Sequence, residues 1–185
     1  MRIISGIYGG LQLVSKIPPN IRPTTDISRE SLFNIITNLI DLEGIRVLDL
    51  FSGTGAMGIE AISRGASFVQ FVDKSAQSIA LIKANLEKLQ ISPQCYKIHK
   101  QDVLKYLNSE QNSFDLIIAD PPYDLNIFTQ ISETIYYKRL LEGNGIFIYE
   151  LRTSIDLFVP EGFEIIKLRE LGQTKFYFFK YSNQE

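Results

Sequence analysis

The chain has 185 residues, 45% of them hydrophobic and 22% charged, which fits one ordinary globular domain with a sizeable core. A net charge of −2 and a pI of about 5.5 exclude a protein that coats nucleic acid with its whole surface, and leave room for a local basic face. A single cysteine, Cys95, and a single histidine, His99, exclude an internal disulfide and the usual Cys/His zinc site; with no signal pattern and no run near the roughly 20 apolar residues of a membrane span, a metal-free cytoplasmic protein is expected.

Within residues 1–15, two short β-prone stretches flank Gly9-Gly10 and predict a hairpin. A Pro-rich connector, KIPPNIRPTTD, follows. Its Thr24, Thr25 and Asp26 offer N-caps to a helix whose apolar positions Leu32, Ile35, Ile36, Leu39 and Ile40 recur at helical spacing, ending near Glu43-Gly44. Strand and helix then alternate: IRVLDLF, AMGIEAISRG, SFVQFVD, SAQSIALIKANLEKLQ, QCYKIHK, VLKYLNS, FDLIIAD, a helix within 125–139, and GIFIYEL. Strands separated by helical lengths predict parallel βαβ units, a Rossmann-like α/β sheet covered on both faces. FEIIKLREL, a turn at Gly172 and TKFYFFKY close the chain as an antiparallel hairpin.

The segment LDLFSGTGAMG joins the first core strand to its helix. Gly53, Gly55 and Gly58 satisfy G-x-G-x-x-G, and Asp73 follows at the distance of a ribose-binding acid. NAD and S-adenosylmethionine both carry an adenosine ribose, so these residues do not separate them. Asp49 discriminates better: a carboxylate inside a strand needs a cationic or hydrogen-bonding partner, and S-adenosylmethionine has an ammonium group where NAD has none. Loop amides are the competing partner. Asp102, after the third core strand, suits an adenine amino group or the cap of the following helix.

The stretch DPPY, Asp120 to Tyr123, ends another core strand, and carboxyl ends of parallel strands line the ligand crevice of an open α/β sheet. Pro121 and Pro122 remove two backbone donors and stiffen the turn, so the turn presents mainly acceptors. Acceptors beside the flat face of Tyr123 suit a planar ring bearing an NH2 group. Such an amine is a poor nucleophile, and hydrogen bonds to Asp120 and a proline carbonyl would stabilise the positive charge that grows as it attacks.

DLFSGTGAMGIEAISRGA, VDKS and DPPY together resemble class I S-adenosylmethionine-dependent methyltransferases acting on exocyclic amines. RIISGIYGGLQL, IRPTTDISRESLFNII and LGQTKFYFF narrow the resemblance to the bacterial 16S ribosomal RNA guanine-N2 methyltransferases that modify guanine 966, across nearly the whole chain. The resemblance implies a single methyltransferase domain over 1–185. It puts the methionine end of the cofactor at Asp49, Phe51, Ser52, Gly53, Thr54 and Gly55, the ribose at Asp73 with Lys74 beside it, and the adenine near Asp102. The target guanine then lies among Asp120, Pro121, Pro122 and Tyr123, with ribosomal RNA of an assembling small subunit as partner and a monomer as the working state. DNA adenine or a protein glutamine is the alternative amine, and a non-catalytic nucleotide-binding domain the remaining competitor.

Residues 1–29 carry +3 against −5 for the remainder. The guanine must be unpaired or flipped out to enter such a crevice, so phosphates lie beside the site. Arg2, Lys16, Arg22, Arg29 and Lys175 are the expected phosphate contacts, Tyr8 a stacking surface, and Arg22 to Thr25 a further RNA contact or a lid over the cofactor. The hairpin and connector, 1–25, are thus expected to face RNA.

Overall fold

The structure, a computed structural model, describes residues 1–15, 26–122, 125–154 and 156–182. Helix α1 (Asp26–Leu39) leads into β1 (Arg46–Leu50), α2 (Ala56–Ser63), β2 (Phe68–Asp73), α3 (Ala76–Lys88), β3 (Tyr96–Lys100), α4 (Val103–Ser109), β4 (Phe114–Ala119), α5 (Phe128–Tyr137), β5 (Leu141–Arg152), β6 (Phe163–Leu171) and β7 (Thr174–Tyr181). One seven-stranded sheet results, ordered β3-β2-β1-β4-β5-β7-β6. The first five strands run parallel and β7 runs antiparallel between β5 and β6. Among the described residues, no helix is long and apolar enough to cross a membrane.

Strands β1, β2 and β4 and the second half of β5 are buried on both faces, which is why they read as nearly continuous apolar runs, whereas β3 (YKIHK) lies at the sheet edge and is only partly covered. On one face Phe33 and Ile36 of α1, Ile59 of α2 and Ile82 of α3 cover Val47, Phe71, Ile118, Ile148 and Phe178. On the other, Tyr106, Leu107, Ile131 and Ile135 of α4 and α5 cover Leu48, Leu50, Ile117, Phe147 and Tyr149. Each fully buried side chain of this size contributes about 1.5–3 kcal/mol. His99 behaves as an ordinary strand residue: its Nε2 meets Gln70 Oε1 at 2.6 Å, and the Tyr106 hydroxyl donates to Gln70 and Glu110. Burial opposes ionisation of Glu110, but bonds from Tyr106 and the amides of Gln111 and Asn112 win and hold its carboxyl at about 2.

Two sequence expectations are corrected. α1 stops at Leu39, short of Glu43-Gly44, because the Asp41 carboxylate accepts from Glu43 N (3.0 Å) and turns the chain. The opening segment is the expected antiparallel hairpin, but it turns over residues 4–9 rather than at Gly9-Gly10. Arg2 and Gln12 are bridge partners, Ile3 N donates to Leu11 O (3.0 Å), Gly10 N to Ile3 O (2.9 Å) and Leu13 N to Met1 O (3.2 Å), and the wide loop between these arms is bound to α2. There Glu60, fully buried, accepts from Ile4 N (2.7 Å), Ser5 N (3.1 Å) and Arg64 Nε (2.7 Å). Ser63 O accepts from Ile7 N (2.7 Å), and so close an approach requires Gly6, at φ +82°, where any Cβ would overlap Ser63 O.

Candidate active site

The loop after β1 is set by backbone conformations that few residues tolerate: Phe51, Gly53 and Gly55 all have positive φ, at 59°, 54° and 78°. Ser52, buried, staples it in place: its hydroxyl donates to Asp49 O (2.6 Å) and accepts from Val72 N (2.9 Å). Asp73, at the end of β2, accepts from Gly53 N (2.9 Å) through one carboxylate oxygen and from Ser75 N (2.7 Å) through the other. Lys74 beside it is exposed. Behind the loop, buried Asn85 of α3 donates to Thr54 O (3.0 Å) and Val14 O (3.2 Å) and accepts from Val14 N (2.6 Å), tying the glycine loop to the opening segment. Sequence reasoning missed Glu60 and Asn85. Their only local sign was a polar residue on an otherwise apolar helical face.

Asp49 is 2% exposed and accepts from Gly58 N at 3.0 Å, the helix-terminus amide of α2. That realises the amide partner weighed above, but one amide does not offset full burial. Burial pushes the carboxyl up to about 8, the Gly58 bond lowers it, and the charges of Asp120 and Asp73 raise it further. A cation placed beside it would favour its ionised form and draw the proton off. Gly58 itself admits no side chain, since a Cβ there would lie 2.3 Å from the Phe71 ring.

Asp120 continues β4, donating its N–H to Leu50 O at 3.4 Å, so it stands at the carboxyl ends of β1 and β4 together. Asp49 lies beside Ile118 in the ladder, two residues before Asp120, and alternation puts the two aspartates on one face of the sheet. Burial raises the Asp120 carboxyl well above the ordinary range. Pro121 is buried and Pro122 exposed, and the Pro122 carbonyl accepts from Leu125 N at 2.9 Å. Tyr123 lies outside the described residues, as do Lys16, Arg22 and Thr25. Asp102 caps α4, accepting from Leu104 N (3.1 Å) and Lys105 N (3.2 Å) through the same oxygen.

Of the described phosphate contacts expected from sequence, two are corrected. Arg29 is 1% exposed; its Nη2 donates to Asp26 (2.9 Å) and to the Arg2 carbonyl. Lys175 is 6% exposed and pairs with Asp156 (2.8 Å) and Glu170 (3.4 Å). A charge engaged inside the fold meets its partner before it meets a phosphate. Arg2 is exposed, with Asp26 4.0 Å from its Nε, and Tyr8 is half-buried with its N–H donated to Ser63 Oγ.

A sheet ordered 3-2-1-4-5-7-6, with a glycine loop after β1 and acids ending β1, β2 and β4, is the Rossmann-like fold of class I methyltransferases. The family model described as "Conserved hypothetical protein 95" matches residues 1–180. Ribosomal RNA small subunit methyltransferase D of Buchnera aphidicola is 30% identical over 96% of this chain and 91% of its own length. The protein of that name from Haemophilus influenzae is 30% identical over 93% and 89%. A solved structure from Haemophilus influenzae, provisionally described as a methylase, superposes with a TM-score of 0.80 at 28% identity, covering 98% of each chain. The chain belongs to this family, that of the small subunit methyltransferase D proteins.

Proposed function

We propose that this protein transfers a methyl group from S-adenosylmethionine to the exocyclic N2 amine of a guanine in small-subunit ribosomal RNA. The observation that carries the proposal is the pairing of two buried aspartates on one sheet face, Asp49 ready to ionise beside a cation and Asp120 offering an acceptor, in a chain whose relatives are named small-subunit ribosomal RNA methyltransferases.

The residues present fit the cofactor. Asp49 meets the ammonium group, the two Asp73 oxygens retain lone pairs for the ribose hydroxyls, and Asp102, capping through one oxygen, keeps the other for the adenine amine. When bound, S-adenosylmethionine supplies an electrophilic methyl group on a cationic sulfur. The protein's own part is to orient the amine: Asp120, with the proline turn behind it, accepts an N–H, draws the nitrogen towards tetrahedral geometry and stabilises its growing positive charge. The amine proton then leaves to Asp120 or to water. Tyr123 stacks on the base. Arg2, Lys16, Arg22, Thr25 and Tyr8 give residues 1–25 an RNA-facing role, and the monomer acts in the cytoplasm on an assembling small subunit.

The test is incubation with labelled S-adenosylmethionine and small subunits from cells lacking this gene, followed by digestion of the RNA. Label is expected in N2-methylguanosine and is expected to vanish with Asp120→Ala while cofactor binding persists. Wild-type turnover by Asp120→Ala would refute the role given to the DPPY turn.

A further inference from the structure

Glu150 is a carboxyl for which the reaction above has no use. It is 4% exposed, near the carboxyl end of β5, and its Oε2 is buried with no hydrogen-bond partner. Its placement is specific. Ala119 of β4 and Tyr149 of β5 are ladder partners, so the next residues, Asp120 and Glu150, are neighbours about 4.8 Å apart across the sheet and point to the same face. That is the face of Asp49. On the other side Glu150 pairs with Phe176 of β7, whose ring belongs to the core, and the Thr174 side chain donates a hydrogen bond to its carboxyl. Arg152, two residues along the same face, is exposed at the strand end.

A buried carboxylate with an empty oxygen beside a second carboxylate is a costly arrangement, whereas a carboxylic acid donating to that second carboxylate satisfies both groups. We propose that Glu150 is a positioning residue for Asp120: a neutral carboxylic acid whose O–H donates to the Asp120 carboxylate, fixing its orientation and keeping it ionised to receive the amine N–H. The inference rests on the reading of Asp120 as the amine's acceptor. Glu150 is nearly sealed from solvent while Asp120 is part-exposed, and the Asp120 charge adds to burial in driving the Glu150 carboxyl up, so the proton that the pair shares resides on Glu150. Without that donor, burial alone would leave Asp120 partly protonated near neutral pH, unable to accept.

Glu150→Gln keeps a donor and the shape, and Glu150→Ala removes both. Glu150→Ala is expected to lower kcat about tenfold or more, with KM for the cofactor unchanged, because a displaced acceptor spoils attack and leaves binding alone. Glu150→Gln is expected to keep most of kcat and to lose the alkaline decline that the wild type shows as Glu150 ionises. A readout independent of substrate is the infrared absorption of protonated carboxyls at pH 7, expected to lose one component in Glu150→Gln while the Asp49 component persists. Wild-type kcat in Glu150→Ala, equal loss in both variants, or no infrared difference would each overturn the inference. Asp120→Ala assayed alongside separates the two levels: activity surviving there refutes the reading of the site, whereas its loss with Glu150→Ala unaffected refutes only the role of Glu150.

Discussion

Cofactor binding is expected to expel a proton from Asp49. With its carboxyl near 8, the apo site at pH 7 holds about 0.9 proton on this group. An ammonium group favours the ionised form, so nearly all of that proton leaves on binding. Deprotonation at pH 7 costs about 1.4 kcal/mol, and affinity should therefore rise about tenfold between pH 6 and 7 and level off above the apo value. Asp49→Asn removes the titration and is expected to weaken binding at pH 8 by about 1.5–3 kcal/mol, the value of a hydrogen bond to a charged group. The assay is calorimetry in buffers of different ionisation enthalpy, whose slope counts protons released. The cofactor's own α-amino group titrates nearby, so the measured quantity is the wild-type slope minus the Asp49→Asn slope. A difference near zero at pH 7 would sink the assignment of the ammonium to Asp49. The same shift has a stability sign: the folded state binds more protons than the unfolded one between about 4 and 8, so apo stability falls as pH rises through that window.

Glu60→Ala leaves Ile4 N, Ser5 N and a nearly buried Arg64 without their acceptor, and should cost about 3–5 kcal/mol. Urea unfolding reads the loss, and limited proteolysis should show early cleavage within residues 1–15. Gly58→Ala forces a methyl group onto Phe71 and Val69, and overpacking of about 1–3 kcal/mol outweighs the roughly 1 kcal/mol that alanine gains in a helix. Its lowered Tm should come with weaker cofactor binding, because the Gly58 amide shifts away from Asp49. Asp73→Ala releases Gly53 N and Ser75 N and removes the proposed ribose acceptor; equilibrium binding should show a cofactor affinity at least about tenfold weaker.

The core strands were legible because burial on both faces writes itself as an apolar run, and the helices because their buried stripes recur at 3.6 residues. The acids of the site were legible for the opposite reason, since Asp49 and Asp120 interrupt or end such runs. What sequence could not show was partnership over long separations. Glu60 receives amides 55 and 56 residues away, and Asn85 one 71 residues away, so what anchors the opening hairpin stays hidden until α2 and α3 are in place. Arg29 and Lys175 misled because a cation's sequence neighbourhood does not reveal whether a carboxylate waits inside the fold. Glu150 was hidden within a strand, its meaning set by a neighbour on β4.

The insertion of β7 between β5 and β6 has a consequence for how the protein is made. Phe147, Ile148 and Tyr149 find their second set of partners in Phe179, Phe178 and Tyr177. During synthesis β5 therefore waits as an open apolar edge, able to pair with any passing strand, until residues 174–181 have emerged. Thr174 and Phe176, which flank Glu150, arrive in the same step. A nascent chain can thus assemble the glycine loop early, yet the surroundings of Asp120 and Glu150 take shape only when the central antiparallel strand slides home.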